Sequence, residues 1–238
     1  MPHQIDLTSR ARTLFITGTD TGVGKTLFTA LLLRHLRESG CHALAMKPFC
    51  SGGRADVRLL QSLQPGELTD HEMNPYSFAE PVAPLVAREA RRKKIRLGQV
   101  VAQIRKTHTK CETLLIEGAG GLMVPLGPGF TVADLIRKLR SEVVVVARNL
   151  LGTINHSLLT VGALKAIGNE PLALILMSSA TRDLSSRSNQ KVLADLLKPI
   201  PVMELPFLGE RPLAKLNKKI APLVRGVLGK VVRSLEPG

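Results

Sequence analysis

The chain has 238 residues, which suits one domain or two small ones, and its 44% hydrophobic and 22% charged residues are a globular composition. This composition excludes disorder, collagen-like structure and coiled coil as descriptions of the whole chain. No apolar run approaches the roughly 18 residues of a membrane span, and the N-terminal residues lack the apolar segment of a secretory signal. Three cysteines, none in a C-x-x-C pair, are too few for a disulfide framework, so we expect a cytoplasmic protein.

The formal net charge of +14 arises from 33 Lys and Arg against 19 Asp and Glu. Much of the excess lies in two segments, 88–96 and 211–233. A nucleic-acid or membrane partner would account for such clusters, but neither segment contains the interleaved aromatic residues that stack on bases. We therefore favour a basic, solvated surface over a nucleic-acid or membrane partner.

Apolar runs of strand length alternate with segments of helical periodicity, which predicts an α/β fold with a parallel sheet and helices on both faces. A proline-rich loop is expected between two of these segments, at 74–84. With no repeat or linker visible, residues 1–238 are predicted to form a single domain, of which 1–12 are flexible. In chain order, strands are predicted at 13–17, 42–47, 113–117, 142–147, 172–177 and 202–205, and helices at 26–39, 55–63, 97–110, 132–140 with Thr131 as N-cap, 154–166 and 188–197, followed by a basic C-terminal helix from near Pro212.

A glycine-rich segment, GTDTGVGKT at 18–26, follows the first strand and opens the first helix. In this context successive backbone N–H groups can surround phosphate oxygens, and the helix N-terminus adds positive potential. The Lys25 ammonium would bridge the terminal phosphates of a nucleotide, and the Thr26 hydroxyl would ligate Mg²⁺. The segment therefore predicts a P-loop NTPase-like domain, although five residues rather than four separate Gly18 from Gly24.

Two carboxylates and a second lysine follow other predicted strands. Lys47 comes at the end of the second strand and would point at the same phosphates, although a strand-end lysine in solvent is an equally good interpretation. Glu117 closes the third strand before Gly118, and Asp56 starts a helix, where it can also serve simply to complement the helix dipole. Because Mg²⁺ takes few carboxylates together with phosphates and water, Thr26, Asp56 and Glu117 are the predicted metal ligands.

Five motifs, in order and spacing, resemble the dethiobiotin synthetases: GTDTGVGKT (18–26), KPFCSG (47–52), NPYSFAEPVAP (74–84), EGAGGLMVPL (117–126) and LGTINH (151–156). The resemblance implies ATP as co-substrate with Mg²⁺, and 7,8-diaminononanoate and CO₂ as substrates. A carbamate on one amine would attack the γ-phosphate to give a carbamic–phosphoric anhydride, and the second amine would close the ureido ring. It also implies a homodimer.

The resemblance assigns roles to individual residues of this chain. Where the family has an asparagine that reads the adenine edge, this chain has Ser178, so our prediction includes other nucleoside triphosphates in place of ATP. The position of Gly22 is often glutamate in the family. The residues implied as catalytic are Lys25, Lys47 and Thr21. Those implied as nucleotide-binding are Gly22, Val23, Gly24, Lys25, Thr26, Glu117, Ser178 and Pro206. Those implied as substrate-binding are Thr21, Lys47, Ser51, Gly120 and, across the dimer interface, Asn155.

Three other interpretations stay open at this point. A partition-type ATPase switch would use the basic C-terminal helix as its anchor, but Asp20 stands where that class carries a signature lysine. A related amidoligase would need an attached glutaminase, for which this length has no room. A paralogue that binds nucleotide without forming the ring would keep the same phosphate and metal groups.

Overall fold

The computed structural model describes residues 12–90, 94–181, 183–209 and 221–235. Its centre is a six-stranded sheet in the order β10-β9-β8-β1-β5-β2, and every pairing in it is parallel. The predicted sheet and its strands are therefore confirmed. The six strands are β1 Arg12–Gly18, β2 Ala43–Met46, β5 Thr113–Glu117, β8 Glu142–Arg148, β9 Ala173–Met177 and β10 Val202–Leu205.

Helices flank this sheet, and those predicted from periodicity begin and end within one or two residues of the expected bounds. Thr131 caps the sixth helix as predicted, through a capping box with Asp134. The described helices are α1 Lys25–Glu38, α2 Ala55–Ser62, α3 Asp70–Met73, α4 Pro84–Ala90, α5 Leu97–His108, α6 Val132–Leu139, α7 Thr153–Ala166, α8 Asn189–Leu196 and α9 Ala221–Leu235, with a 3-10 helix at Leu184–Arg187.

The prediction of a loop over 74–84 is wrong in its middle. A short strand, β4 Tyr76–Phe78, pairs in parallel with β3 Phe49–Ser51, and the rings of Phe49 and Tyr76 stack with centroids 4.8 Å apart. A second small sheet joins β6 Pro125–Gly127 to β7 Phe130–Thr131. Strands of two or three residues are too short to show a period, so the sequence pattern did not indicate them.

The core lies around the central strands because these carry unbroken apolar runs. In β8, Val143, Val144, Val145 and Val146 have no solvent exposure, as expected for a strand covered on both faces. The three cysteines are free and buried, so the expectation of no disulfide framework is confirmed. None of the helices in the described part of the chain is long and apolar enough to cross a membrane.

Two predictions fall on residues that the structure does not describe. The flexibility of 1–12 concerns residues that, except for Arg12, lie outside the described range, and so does the start of the last helix near Pro212. Within the described residues, α9 packs against α1 and β10 and buries Val224, Leu228 and Val231. This helix is therefore part of the folded core on one side.

Candidate active site

The phosphate loop lies where β1 ends and α1 begins, at the carboxyl edge of the sheet. The loop depends on glycine at Gly22 (φ 68°) and Gly24 (φ 104°), which take left-handed conformations that side chains disfavour. A Cβ atom on Gly18 would come within 2.8 Å of Val23 and 3.0 Å of the Lys25 Nζ atom. The glycines thus allow the chain to fold tightly around the position of a phosphate.

Lys25 is buried at the start of α1 and folds back over the loop. Its Nζ donates a hydrogen bond to the Asp20 carbonyl oxygen at 2.7 Å. Burial lowers the pKa of Lys25 to about 8, against the opposing attraction of Glu117. The loop therefore holds a desolvated ammonium against a backbone carbonyl oxygen.

Lys47 joins the two predicted carboxylates. The strand register places Met46 beside Ile116, so Lys47 and Glu117 follow one another at the same edge. The Lys47 Nζ lies 2.7 Å from Glu117 Oε1 and also forms an ion pair with Asp56. Lys47 is 7% exposed, which excludes the interpretation of a solvated strand-end lysine. Burial lowers the pKa of Lys47, but Glu117 and Asp56 together outweigh burial and raise that pKa above its usual value.

The three predicted metal ligands lie in this same cluster. The Thr26 hydroxyl donates to Glu117 Oε1 at 2.6 Å, and Asp56 reaches the cluster through Lys47. The second Glu117 oxygen, Oε2, is buried and has no hydrogen-bond partner within the described residues. An unpartnered buried carboxylate oxygen beside a hydroxyl and a second carboxylate fits a hard divalent cation such as Mg²⁺.

A cavity of about 540 Å³ opens beside this charge cluster. All four residues predicted to border the substrate within one subunit line it: Thr21, Lys47, Ser51 and Gly120. The Ser51 hydroxyl is buried without a hydrogen-bond partner among the described residues, so it is available to a ligand. The structure thus brings the predicted phosphate, metal and substrate groups to one cavity.

Asn155 does not line this cavity. It is exposed in the first turn of α7. A second cavity of about 180 Å³ lies there, between Thr21 and His156. Within one chain, therefore, Asn155 is not brought to the predicted substrate, and its role across a dimer interface stays a prediction.

The predicted base-binding residues lie further along the sheet edge. Ser178 follows β9 and does not line the cavity beside the charge cluster. Its hydroxyl donates a hydrogen bond to Glu204 on β10. The Ser178 amide donates to the Leu205 carbonyl at 2.9 Å, and Pro206 follows directly. Sequence reasoning missed Glu204, which only the pairing of β9 with β10 brings beside Ser178.

Arg148 was also missed. It ends β8, and its Nε and Nη2 atoms lie 3.2 and 3.0 Å from the carbonyl oxygen of Gly22. The available signal was a single charged residue that ends an apolar, β-branched strand at the ligand edge of the sheet.

A parallel sheet whose first strand leads through a glycine-rich loop into a helix with Lys and Thr defines the P-loop nucleotide-binding proteins. A family model described as an AAA domain matches residues 12–213. Among solved structures, the MinC:MinD cell division complex of Aquifex aeolicus (TM-score 0.61, 14% identity, 95% of this chain and 97% of that chain) and a ParA family ATPase from Chlorobium tepidum TLS (0.56, 16%, 95% and 98%) share the fold.

Curated relatives are more specific, and each carries the name ATP-dependent dethiobiotin synthetase BioD. The protein from Anaeromyxobacter sp. (strain Fw109-5) is 42% identical over 72% of this chain and 79% of its own length. Those from Bacillus velezensis and Bacillus subtilis (strain 168) are 36% and 34% identical, over 81% and 87% of this chain and 84% and 90% of their own lengths. The chain belongs to the dethiobiotin synthetase family, as its motifs predicted.

Proposed function

We propose that the chain is an ATP-dependent dethiobiotin synthetase, which closes the ureido ring of dethiobiotin from 7,8-diaminononanoate and CO₂. The observation that carries this proposal is the convergence of Lys25, Thr26, Lys47 and Glu117 on a single cavity. The same cavity is lined by the residues that the family resemblance assigns to the substrate. Relatives with this name cover most of the chain, which supports the same conclusion.

The reaction balances in three steps. One amine of the diamine adds to CO₂ and loses a proton, which gives a carbamate. A carbamate oxygen attacks the γ-phosphorus of ATP and expels ADP. The other amine then attacks the carbamoyl carbon of the mixed anhydride, loses a proton and expels phosphate. Because charge accumulates on phosphate oxygens, the protein contributes mainly by positioning and by positive charge.

Lys25 and Lys47 supply that charge in the proposed site. Lys25 would leave the Asp20 carbonyl for the γ-phosphate, and Lys47 would face both the phosphate and the carbamate. Thr21, Ser51 and Gly120 would hold the diamine against them. Both ammonium groups are buried, so each interacts with its ligand more strongly than it would in water.

Thr26, Asp56 and Glu117 would hold Mg²⁺, which when bound neutralises phosphate oxygens of the nucleotide. The described residues contain no group of three or more His, Cys, Asp and Glu side chains that could hold a metal ion by themselves. A hydroxyl, two carboxylates and the oxygens of a nucleotide match the preference of Mg²⁺ for oxygen ligands.

The nucleotide would lie along the phosphate loop, with the amides of Gly22, Val23 and Gly24 on its phosphates and its base near Ser178 and Pro206. ATP is the co-substrate that the family name supports. Because Ser178 replaces the asparagine that reads the adenine edge in the family, we include other nucleoside triphosphates in the proposal. We further propose a cytoplasmic homodimer, in which Asn155 of a second copy reaches the substrate carboxylate. A partition-type switch is not favoured, because the MinC:MinD cell division complex and the ParA family ATPase are similar to this chain in fold only.

The test is single-turnover release of phosphate from ATP with Mg²⁺ and bicarbonate, with and without 7,8-diaminononanoate. We expect phosphate release that depends on the diamine, together with an equal amount of dethiobiotin by mass spectrometry. CTP and GTP run in parallel measure the choice of base, and light scattering measures the oligomeric state. Phosphate release that ignores the diamine would contradict the proposal.

A further inference from the structure

Arg148 makes a two-pronged contact with the backbone of the phosphate loop. Two of its guanidinium nitrogens lie 3.2 and 3.0 Å from one acceptor, the carbonyl oxygen of Gly22, 126 residues away along the chain. The guanidinium is planar and always charged, so a fork of two N–H groups on one oxygen both strengthens the contact and fixes its direction.

The direction matters because the peptide between Gly22 and Val23 is planar and trans. In a trans peptide the C=O and the following N–H point to opposite sides. Because Arg148 holds the Gly22 carbonyl, the Val23 amide points to the opposite side of the peptide, away from the guanidinium. The inside of the loop is where successive amides meet a phosphate.

Glycine at position 22 makes this hold both possible and useful. Gly22 has φ 68°, and a Cβ atom on it would lie 2.9 Å from Nη2 of Arg148. A side chain at this position would therefore push the guanidinium away from the carbonyl. Glycine also leaves the peptide freer to rotate than any other residue would, so an external partner is needed to keep one orientation.

We propose that Arg148 is a positioning residue of the phosphate site, which keeps the Gly22–Val23 peptide in its amide-inward orientation for the nucleotide. The inference rests on the proposed nucleotide site in the phosphate loop. It assigns Arg148 no contact with the reacting atoms, and the predicted loss is in nucleotide binding. An arginine that served only the surface would affect neither the nucleotide nor the loop.

The test compares Arg148→Gln and Arg148→Lys with Arg105→Gln, a matched change of an exposed arginine on α5. Calorimetry with a non-hydrolysable ATP analogue and Mg²⁺ gives the affinity, and hydrogen exchange of peptides that cover 18–26 gives the order of the loop. We expect Arg148→Gln to weaken the analogue about tenfold to a hundredfold and to speed exchange in the loop, because it removes a charged hydrogen-bond donor.

Arg148→Lys keeps the charge without the fork, so its affinity should fall between those of Arg148→Gln and the native protein. Millimolar guanidinium ion should restore part of the affinity of Arg148→Gln and none to Arg105→Gln. The melting temperature should stay unchanged in all variants, which separates positioning from folding.

Affinity and loop exchange in Arg148→Gln that equal those of Arg105→Gln would overturn the positioning role. So would a defect confined to the KM of the diamine, since that would mean direct contact with the substrate. If the native protein bound the analogue but released no diamine-dependent phosphate, the proposed synthetase activity would fail, whereas a binding loss in Arg148→Gln would still support the role of Arg148.

Discussion

The two halves of the sheet's carboxyl edge are built differently. On the side of β1, β5 and β2, charged groups are buried and contact one another directly, as Lys47 does with Glu117 at 2.7 Å. On the side of β9 and β10, Ser178 and Glu204 form a smaller, more solvated polar pair. The difference matches the roles proposed above: the first side would do the chemistry, which tolerates little change, and the second side would contribute to the choice of nucleotide.

The largest effect should come from the chemical side. Replacing the buried ammonium in Lys25→Ala removes a charge that faces the transferred phosphate, and turnover should fall by about 10²–10³-fold. Single-turnover phosphate release measures the loss, and circular dichroism checks the fold. Lys106→Ala, on the exposed face of α5, is the control; equal turnover in both variants would remove the phosphate loop from the mechanism.

The next effect separates the two carboxylates. The Glu117 side chain is fully buried, whereas that of Asp56 is 46% exposed, so solvent screens Asp56 more. We expect Glu117→Gln to raise the Mg²⁺ concentration for half-maximal activity by about ten- to a hundredfold, and Asp56→Asn to raise it less. A Mg²⁺ titration with the exposed variant Asp195→Asn as control decides this, and an unaltered titration in Glu117→Gln would mean that other residues hold the metal.

A smaller effect, on stability, is expected at α3, the helix that accepts a hydrogen bond from the Lys47 backbone. The amide of Lys47 donates to the Met73 carbonyl of α3, and Glu72 caps that helix in a capping box with Thr69. A hydrogen bond from Lys110 lowers the pKa of Glu72 to about 2, so its contribution to stability is present above the usual carboxyl pKa and is lost as the pH falls from about 4.5 towards 2.

We expect Glu72→Gln to lower the free energy of unfolding by about 1 kcal/mol near neutral pH, since solvent screens much of the Glu72–Lys110 pair. At low pH the substitution should leave the free energy of unfolding unchanged. Urea unfolding at several pH values measures this difference. Glu170→Gln, another exposed ion-pair member, is the control. If the loss of unfolding free energy stayed constant below pH 4, ionisation of Glu72 would have no part in that loss.

The smallest effect should lie on the second side of the edge. Ser178→Asn adds an amide donor where Ser178 now donates to Glu204, and it should shift the ratio of ATP to GTP use by roughly threefold. Competition between the two nucleotides under diamine-dependent turnover measures the ratio, with Ser234→Asn on α9 as control. If the ATP-to-GTP ratio shifted by as large a factor as turnover falls in Lys25→Ala, the proposed difference in role between the two sides would be wrong.

Elements with a clear local sequence pattern were predicted, and elements formed by pairing with distant residues were not. β5 and β10 were predicted to the residue because each is a short apolar run between clear boundaries. The phosphate loop was predicted because the residues proposed to bind phosphate are consecutive in the sequence. β3 and β4 were missed because three-residue strands have no period and are formed by their pairing with partners 27 residues away along the chain.

The site shows where sequence reasoning ends. Thr26, Asp56 and Glu117 were predicted as neighbours from the phosphate loop, the helix start and the strand end that carry them. That Lys47 would bridge the two carboxylates could not be predicted, since side-chain direction depends on the packing around it. Arg148 contacts Gly22 of the phosphate loop and Glu204 contacts Ser178, and no local pattern indicates contacts between such distant parts of the chain.

The bridge made by Lys47 has a consequence for how ligands enter. Lys25, Lys47, Asp56 and Glu117 carry two positive and two negative formal charges, so the ligand-free cluster is electroneutral. In the proposed site, a phosphate that draws Lys47 towards itself would release carboxylate oxygen, and that oxygen would then attract a cation. The anion and the cation would thus be taken up as a matched pair, because either one alone would leave an unbalanced charge in this buried cluster.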